Sequence, residues 1–429
     1  MYKLKPSAAS QKPTKASFNS ALAEVYAGPP PPKDGKLIGV DCHPDSFTSA
    51  VFEGTTPHDA RKVGSRENME LEDFLGWAKQ RFTAKDLFLM EAGANSFEIH
   101  RRLEELGLRA EVLESAFVGK HAKDYADDDK MAAARIVLVY LGNKVPCVWV
   151  PDTRTLERRQ LLHLYRMAVA NDTAATNSLK SYLNQSTIRL KKRSVHQQET
   201  RDWIFGQRAW SPLQVQLLNE HFQSVDKEAA ARKRLYLLIC QEVSQDPLML
   251  RMMNLMGVSI INAFALLATI GDVHRFSSPE KLVAYIGLNP GQKTSGEGKR
   301  VKLGIGRRGR RDMRNLLIQG AQSVLSRGGR TTLGKWGWKL FARKGHRNIA
   351  VGAIARKMLV QVWHLLMGNP PTDLESNKGL TAKLRKLLVD LGKVKRAEMA
   401  MTGSLVECIG SLRERILAKP LPSAAAGAA

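Results

Sequence analysis

Residues 86–114, "DLFLMEAGANSFEIHRRLEELGLRAEVLE", decide the fold class of the first third of the chain. An apolar run ends in Glu91, a short Gly/Asn turn follows, then a helical stretch, then a second apolar run. Strand, turn, helix and strand in that order make a βαβ unit. Just upstream, "KLIGVDCHPDSFTSAVFEG" (36–54) alternates apolar residues on both sides of a His-Pro-Asp break, which reads as a β-hairpin. Downstream, "DDDKMAAARIVLVYLGN" (127–143) reads as a helix with acids at its start and Gly-Asn at its end. Residues 36–150 are therefore expected to form one α/β domain. Residues 1–35, Pro- and Ser-rich and closing in "GPPPPKDG", read as a flexible tail.

Beyond residue 150 the texture turns helical. Residues 153–186 and 212–253 carry few glycines, and "RRQLLHLYRMAVANDTAATNSLKSYL" (158–183) has apolar residues at mixed three- and four-residue spacing. That suits paired or coiled helices, so 151–253 is read as a helical, coiled-coil linker that spaces two domains or pairs two copies. Residues 254–345 form a further unit. Its opening "NLMGVSIINAFALLATIGDVHRF" holds a Gly-centred turn between helices, like a helix–hairpin–helix that meets phosphate through backbone amides. Residues 346–429 are C-terminal helices and a low-complexity tail. The expected fold class is α/β followed by mostly α.

The 429 residues exceed one ordinary core and favour two or three domains. With 66 Lys and Arg against 41 Asp and Glu the formal charge is +25, which favours a polyanionic partner, nucleic acid first and anionic membrane second. The apolar stretch "SIINAFALLATIG" (259–271) is too short to cross a bilayer, and the N-terminus lacks the apolar core of a secretory signal. Cys42, Cys147, Cys240 and Cys408 are scattered without CxxC spacing. That excludes a disulfide framework or zinc ribbon and fits a cytoplasmic protein.

Two sets of residues carry candidate chemistry. Asp41 ends the first strand of the hairpin, Glu91 ends the first strand of the βαβ unit, and Asp127, Asp128 and Asp129 open the later helix. Strand-end acids beside a helix-borne acid are how ribonuclease-H-like folds hold two Mg2+ ions. The ions need hard oxygen ligands and together clamp the attacking and leaving oxygens of a phosphodiester. Each acid alone is better read as a surface carboxylate or a cap; it is their order in one basic chain that points to a site.

The second set surrounds Ser295. The window "KTSGEGKRVKLGIGRRGRRDMRN" (293–315) holds Lys293, Lys299, Arg300, Lys302, Arg307, Arg308, Arg310, Arg311 and Arg314 against Glu297 and Asp312. "GQKTSGE" fails as a phosphate-binding P-loop because Glu297 stands where the lysine must be. "GIGRRG" has dinucleotide-motif spacing without a βαβ frame. What remains is a cationic arm suited to nucleic-acid backbone. A serine hydroxyl there needs a base, a metal or alkoxide stabilisation before it can attack, and no histidine lies close in sequence.

Taken together, "IGVDCH", "FLMEAGANSFEIHRRLEELG", "DKMAAARIVLVYLGNKVPCVWVPDTRTLERRQL", "IGDVHRFSSPEKLVAYIGLNPGQKTSGEGKRVKLGIGRRGRRDMRNLLIQGA" and "RNIAVGAIARK" resemble the DEDD-type transposases of bacterial insertion sequences (the one-hundred-and-ten family) and the related Piv DNA invertase. The resemblance covers residues 36 to about 365. It implies a RuvC-like N-terminal domain, a helical linker that assembles dimers and tetramers, and a C-terminal transposase domain with a nucleophilic serine. It also implies recombination of double-stranded donor and target DNA through a Holliday-junction-like intermediate, directed by a structured guide RNA.

In that resemblance Asp41 matches the first acid, Glu91 the second, Asp129 the third and Ser295 the serine. The fourth acid of the usual D-x-x-D-A pattern is Ala132 here, so its role is expected to pass to Asp127 or Asp128. The rival readings are a RuvC-like nuclease or junction resolvase without covalent serine chemistry, and a catalytically decayed nucleic-acid-binding protein, which Ala132 favours.

Overall fold

The computed structural model describes residues 28–121, 129–142, 145–191, 193–294, 300–306, 309–328, 331–369, 372 and 374–417; for 120, 121, 129, 130, 291–294 and 300–303 it describes the backbone alone. Contacts divide the chain between Pro151 and Asp152 into two units.

In the first unit, β1 (Leu37–Cys42) and β2 (Phe47–Glu53) form the antiparallel hairpin, in register from Leu37–Phe52 to Cys42–Phe47. His43 N–H donates to the Ser46 carbonyl and closes its turn. β3 (Arg61–Met69) extends the sheet beside β2 as an exposed edge strand, with Arg61, Lys62 and Arg66 along it, charges that discourage edge pairing. On the other side β4 (Leu87–Glu91) pairs parallel with β1, and β5 (Arg109–Leu113) parallel with β4, giving the order β3-β2-β1-β4-β5. α1 (Leu71–Arg81) precedes β4, and α2 (Ser96–Glu105) makes the crossover from β4 to β5 that residues 86–114 dictate.

Successive strand residues face opposite sides of a sheet, so a strand covered on both sides is apolar throughout. Ile38, Val40, Phe88 and Met90 pack with Phe74, Ala78, Ile99 and Leu103 of α1 and α2. Leu37, Leu87 and Leu89 pack instead with Ala133, Ile136, Val137 and Tyr140 of α4 (Asp129–Gly142), which follows the short α3 (Ser115–His121). α4 lies against β1 without a spacer: a β-carbon on Gly39 would stand 1.9 Å from the Ala133 carbonyl oxygen. Its other end, Gly142, meets Pro57 in the β2–β3 connection, at the edge where β1 begins. α4 therefore runs antiparallel to β1, and its first residue, Asp129, lies towards the ends of β1 and β4.

The second unit starts with two long paired helices, α5 (Thr153–Gln185) and α7 (Pro212–Gln245), joined by a segment containing α6 (Gln198–Phe205). Both starts are capped. The Asp152 carboxylate accepts from Thr155 N–H, and Ser211 and Gln214 form a reciprocal capping box ahead of Pro212. Arg158 ties the helices at one end, donating to the half-buried Glu242 at 2.9 Å and the buried Asp246 at 2.7 Å.

Beyond come α8 (Pro247–Met253), α9 (Ile260–Ile270), α10 (Pro279–Ile286), β6 (Pro290–Thr294), β7 (Arg300–Ile305), α11 (Arg311–Ser326), α12 (Thr332–Lys344), α13 (Arg347–Leu366), α14 (Asn377–Glu398) and α15 (Leu405–Leu417). One core runs from Leu162 through Ile239 and Phe264 to Ile416, without a break at residue 253. α9 is buried along almost its whole length. The turn read as a helix–hairpin–helix is present, with Gly257 at φ +77°, but it packs inward: a β-carbon on Gly320 of α11 would lie 2.5 Å from the Gly257 carbonyl oxygen. Among the described helices α13 is long and apolar enough to cross a membrane, and half of its apolar span is buried in this core.

Candidate active site

The parallel register of β1 and β4 ends at Val40–Met90, and Asp41 and Glu91 are the next residue on each strand. They share the parity of Leu37 and Gly39, and of Leu87 and Leu89, so both face the α4 side of the sheet. Strand ends release these two side chains from the packed layer, and both are half-buried. Asp129 begins α4 at the same end and on the same side. Four residues of helix carry it roughly 6 Å along the axis from Ala133, towards the acids. By this backbone placement Asp41, Glu91 and the first residue of α4, Asp129, lie at one end and on one side of the sheet. The side chain of Asp129 is not among those described, and Asp127 and Asp128 lie outside the described residues. Ala132 is half-buried one residue before the Gly39 contact, and its methyl group offers no ligand.

The surroundings of Asp41 are fixed by short-range contacts. His43 Nε2 lies 3.2 Å from Asp41 Oδ2. Asn95, at the start of α2, donates through Nδ2 to the His43 carbonyl at 2.8 Å, holding the hairpin turn beside the β4–α2 turn. Cys42 points to the opposite face; burial, and then the neighbouring Asp41 charge, push its thiol up to about 12. At neutral pH it is a protonated thiol rather than a nucleophile. Among the described residues no group of three or more His, Cys, Asp or Glu side chains is placed to hold a metal ion. Asp41 and Glu91 supply two hard oxygen donors of the kind Mg2+ takes.

In the second unit the basic window is not a plain loop. β6 and β7 form an antiparallel ribbon whose register closes at Thr294–Arg300, so Ser295 follows directly on the last residue of β6. Lys293, Arg300 and Lys302 lie on these strands, whereas Ser295, Lys299, Arg307 and Arg308 lie outside the described residues. The ribbon's base is closed by two glycines: at Gly309, φ +83°, a β-carbon would meet Gly287 backbone at 2.7 Å. Arg310 donates to Asp312 at 2.9 Å, Arg166 of α5 reaches the same carboxylate at 2.9 Å, and Arg314 donates to the Gly287 carbonyl at 3.4 Å. Arg311, also described, opens α11.

Sequence reasoning missed the group behind this base. Arg275 and Arg310 both flank Tyr285, and the guanidinium of Arg275 lies 4.6 Å from the ring centre of Tyr285. Arg159 adds a third charge, anchored on the Ala268 carbonyl at 3.0 Å. Burial raises the phenol, but the hydrogen bond and charge of Arg275, with Arg310 and Arg159, outweigh it and hold Tyr285 below the usual tyrosine range. Three guanidinium groups that pull a buried phenol towards its anion mark a place where negative charge is favoured. A lone Arg and a lone Tyr, 116 and 10 positions from their partners, carry no local sequence signal.

Comparison with known proteins bears on the same region. Residues 249–333, from α8 through α9, Tyr285, the ribbon and α11, match the family described as Transposase IS116/IS110/IS902. The chain is 26% identical over 291 residues to a putative transposase, y4qE, of Sinorhizobium fredii, covering 66% of this chain and 70% of that protein. It is 26% identical over 343 residues to the transposase for insertion sequence element IS1111A of Coxiella burnetii, covering 78% and 90%. It is 24% identical over 332 residues to the transposase for insertion sequence element IS1328 of Yersinia enterocolitica, covering 76% and 95%.

Proposed function

We propose that this relative of the IS116/IS110/IS902 transposases is itself an insertion-sequence transposase, a DNA recombinase that cuts and rejoins element and target DNA. The observation that carries the reading is the family match over the segment that contains both the basic ribbon and Ser295. The first unit, in this reading, is RuvC-like and of DEDD type, as in the related Piv invertase. Asp41, Glu91 and Asp129, with Asp127 or Asp128 in place of the missing fourth acid, hold Mg2+. When bound, the ion supplies charge neutralisation at the scissile phosphate.

Ser295 Oγ then attacks phosphorus, a serine–phosphate ester forms, and the displaced ribose oxygen leaves with a proton. A second sugar hydroxyl reverses the step and restores the serine. Lys293, Lys299, Arg300, Lys302, Arg307, Arg308, Arg310, Arg311 and Arg314 hold the DNA backbone around it, where guanidinium groups stabilise the pentavalent charge. A structured RNA selects the DNA partners, and copies of the chain act as a dimer or tetramer.

The test is a recombination assay on DNA carrying the element's ends, run with wild type, Ser295→Ala and Asp41→Ala, together with capture of a covalent adduct on nicked suicide DNA. Loss of recombination in both variants, and of the adduct in Ser295→Ala, is expected. Cleavage that survives Ser295→Ala with no adduct would favour a nuclease. Recombination unaffected by Asp41→Ala would make the acid pair ornamental. Ala132 is the one observation favouring a decayed binding protein, and any wild-type recombination removes that reading.

A further inference from the structure

Residues 186–211, which link α5 to α7, contain Arg189, Lys191, Lys192, Arg193, Arg201 and Arg208 against Glu199 and Asp202 alone. They do not trail between the helices. Ile188, Leu190, Val195 and Ile204 pack on Leu183 and Phe222, so the link is a cap with its own small core at the tip of the helical pair. One cation there is structural: Arg201 pairs with Asp226 and lies over the Phe222 ring. Arg189, Lys191, Arg193 and Arg208 are exposed, and among the described residues none has a carboxylate within ion-pair distance.

Two of these lie over indoles. The Arg193 guanidinium sits 4.6 Å from the centre of the Trp203 ring, and Arg208 sits 5.0 Å from that of Trp210. Arg189, Lys191, Trp203, Gln207 and Arg208 line a cleft of about 670 Å3. Thr187 (φ 61°) and Lys191 (φ 48°), two of the four described non-glycine residues with left-handed backbone, lie on its wall. A β-branched residue in that region is strained, and such strain gathers at binding sites.

We infer that this cleft binds an unpaired nucleic-acid strand, its phosphates on Arg189, Lys191 and Arg208 and a base against Trp203. Uncompensated cations alone would suit any polyanion. Adding the half-buried Trp203 indole, which carries Arg193 on its ring, and the Gln207 amide oxygen selects a ligand with a flat, hydrogen-bonding face beside each negative charge. A duplex keeps those faces stacked inside, so the ligand is a single strand or a loop. RNA and DNA share this chemistry. The site lies about 100 positions from the basic ribbon and does not depend on strand transfer.

The experiment uses the full chain and fluorescently labelled oligo-U, oligo-dT and a blunt DNA duplex of equal length, read by anisotropy over a salt series. Arg189→Gln/Lys191→Gln/Arg208→Gln is compared with a charge-matched Lys335→Gln/Lys339→Gln/Arg343→Gln on α12. The cleft variant is expected to weaken single-strand binding about tenfold or more and to reduce the salt slope by about two, at ~0.7 for each phosphate no longer neutralised. The α12 variant changes single-strand binding less than threefold. Trp203→Leu, with unchanged thermal melting, loses several-fold and Trp203→Phe recovers most of it. A larger loss for oligo-U than for oligo-dT assigns the site to RNA, the reverse to DNA. Equal losses in the two triple variants, or a loss confined to the duplex, overturn the inference. Neither result touches the recombination chemistry, which Ser295→Ala reports separately.

Discussion

Asp41 and Glu91 stand side by side, each one residue beyond the Val40–Met90 pair of two parallel strands, and both face the helix that begins at Asp129. Neighbouring strands are ~4.8 Å apart, so the two carboxylates repel unless a cation or proton lies between them. Mg2+ is therefore expected to raise the melting temperature of wild type and to leave that of Asp41→Asn unchanged. An equal Mg2+ shift in both proteins, read by calorimetry, would remove this pair from the metal site.

Ala132 gives the converse experiment. A residue three places after Asp129 lies on the same helix face, so Ala132→Asp restores the missing D-x-x-D spacing. The Mg2+ concentration for half-maximal recombination is expected to fall several-fold. No change would mean that Asp127 or Asp128 already fills the role.

Gly39→Ala is expected to cost about 1–3 kcal/mol, or more, because its methyl group would meet backbone rather than a yielding side chain. Recombination should fall with it, since α4 must lift from β1. Gly64→Ala in β3, whose β-carbon would meet only Val51 at 4.0 Å, is the control and should stay near wild type by urea unfolding.

Arg158→Met leaves the buried Asp246 carboxylate without its guanidinium and Glu242 with Arg154 alone, at 3.8 Å. Breaking a buried pair from one side typically costs about 3–5 kcal/mol, and a loss of that order is expected in denaturant unfolding of the second unit. A loss below about 1 kcal/mol would show that water replaces the guanidinium.

Tyr285 should ionise below the ordinary phenol value of about 10. An ultraviolet difference titration of wild type against Tyr285→Phe isolates the component, and Arg275→Gln should move it upward. Because the folded value is the lower one, the phenolate's contribution to stability is complete above the unfolded value. It is lost as pH falls through the folded value.

The first unit was largely legible in the sequence, and the physical reason is local. The βαβ stretch 86–114 and the hairpin 36–54 each carry their periodicity, their turn residues and their terminal acids within one short window. β3 was not legible, because an exposed edge strand needs no apolar alternation; eight of its nine residues are at least partly exposed. The ribbon around Ser295 read as a cationic arm, since its lysines and arginines mask the pairing of Gln292 with Lys302. The cluster of Arg159, Arg275 and Tyr285 was beyond reach altogether. It exists only because α9 is buried and its last carbonyls turn two arginines towards α10.

The contact between Gly39 and Ala133 serves α4 as a datum does a machined part. Apolar side chains farther along the helix can change volume and let it tilt or slide slightly, but the position of its acid end is referred to one hard stop of backbone on backbone. A missing methyl group thus sets where the helix stands, beside the His43 and Asn95 contacts that hold the Asp41 turn.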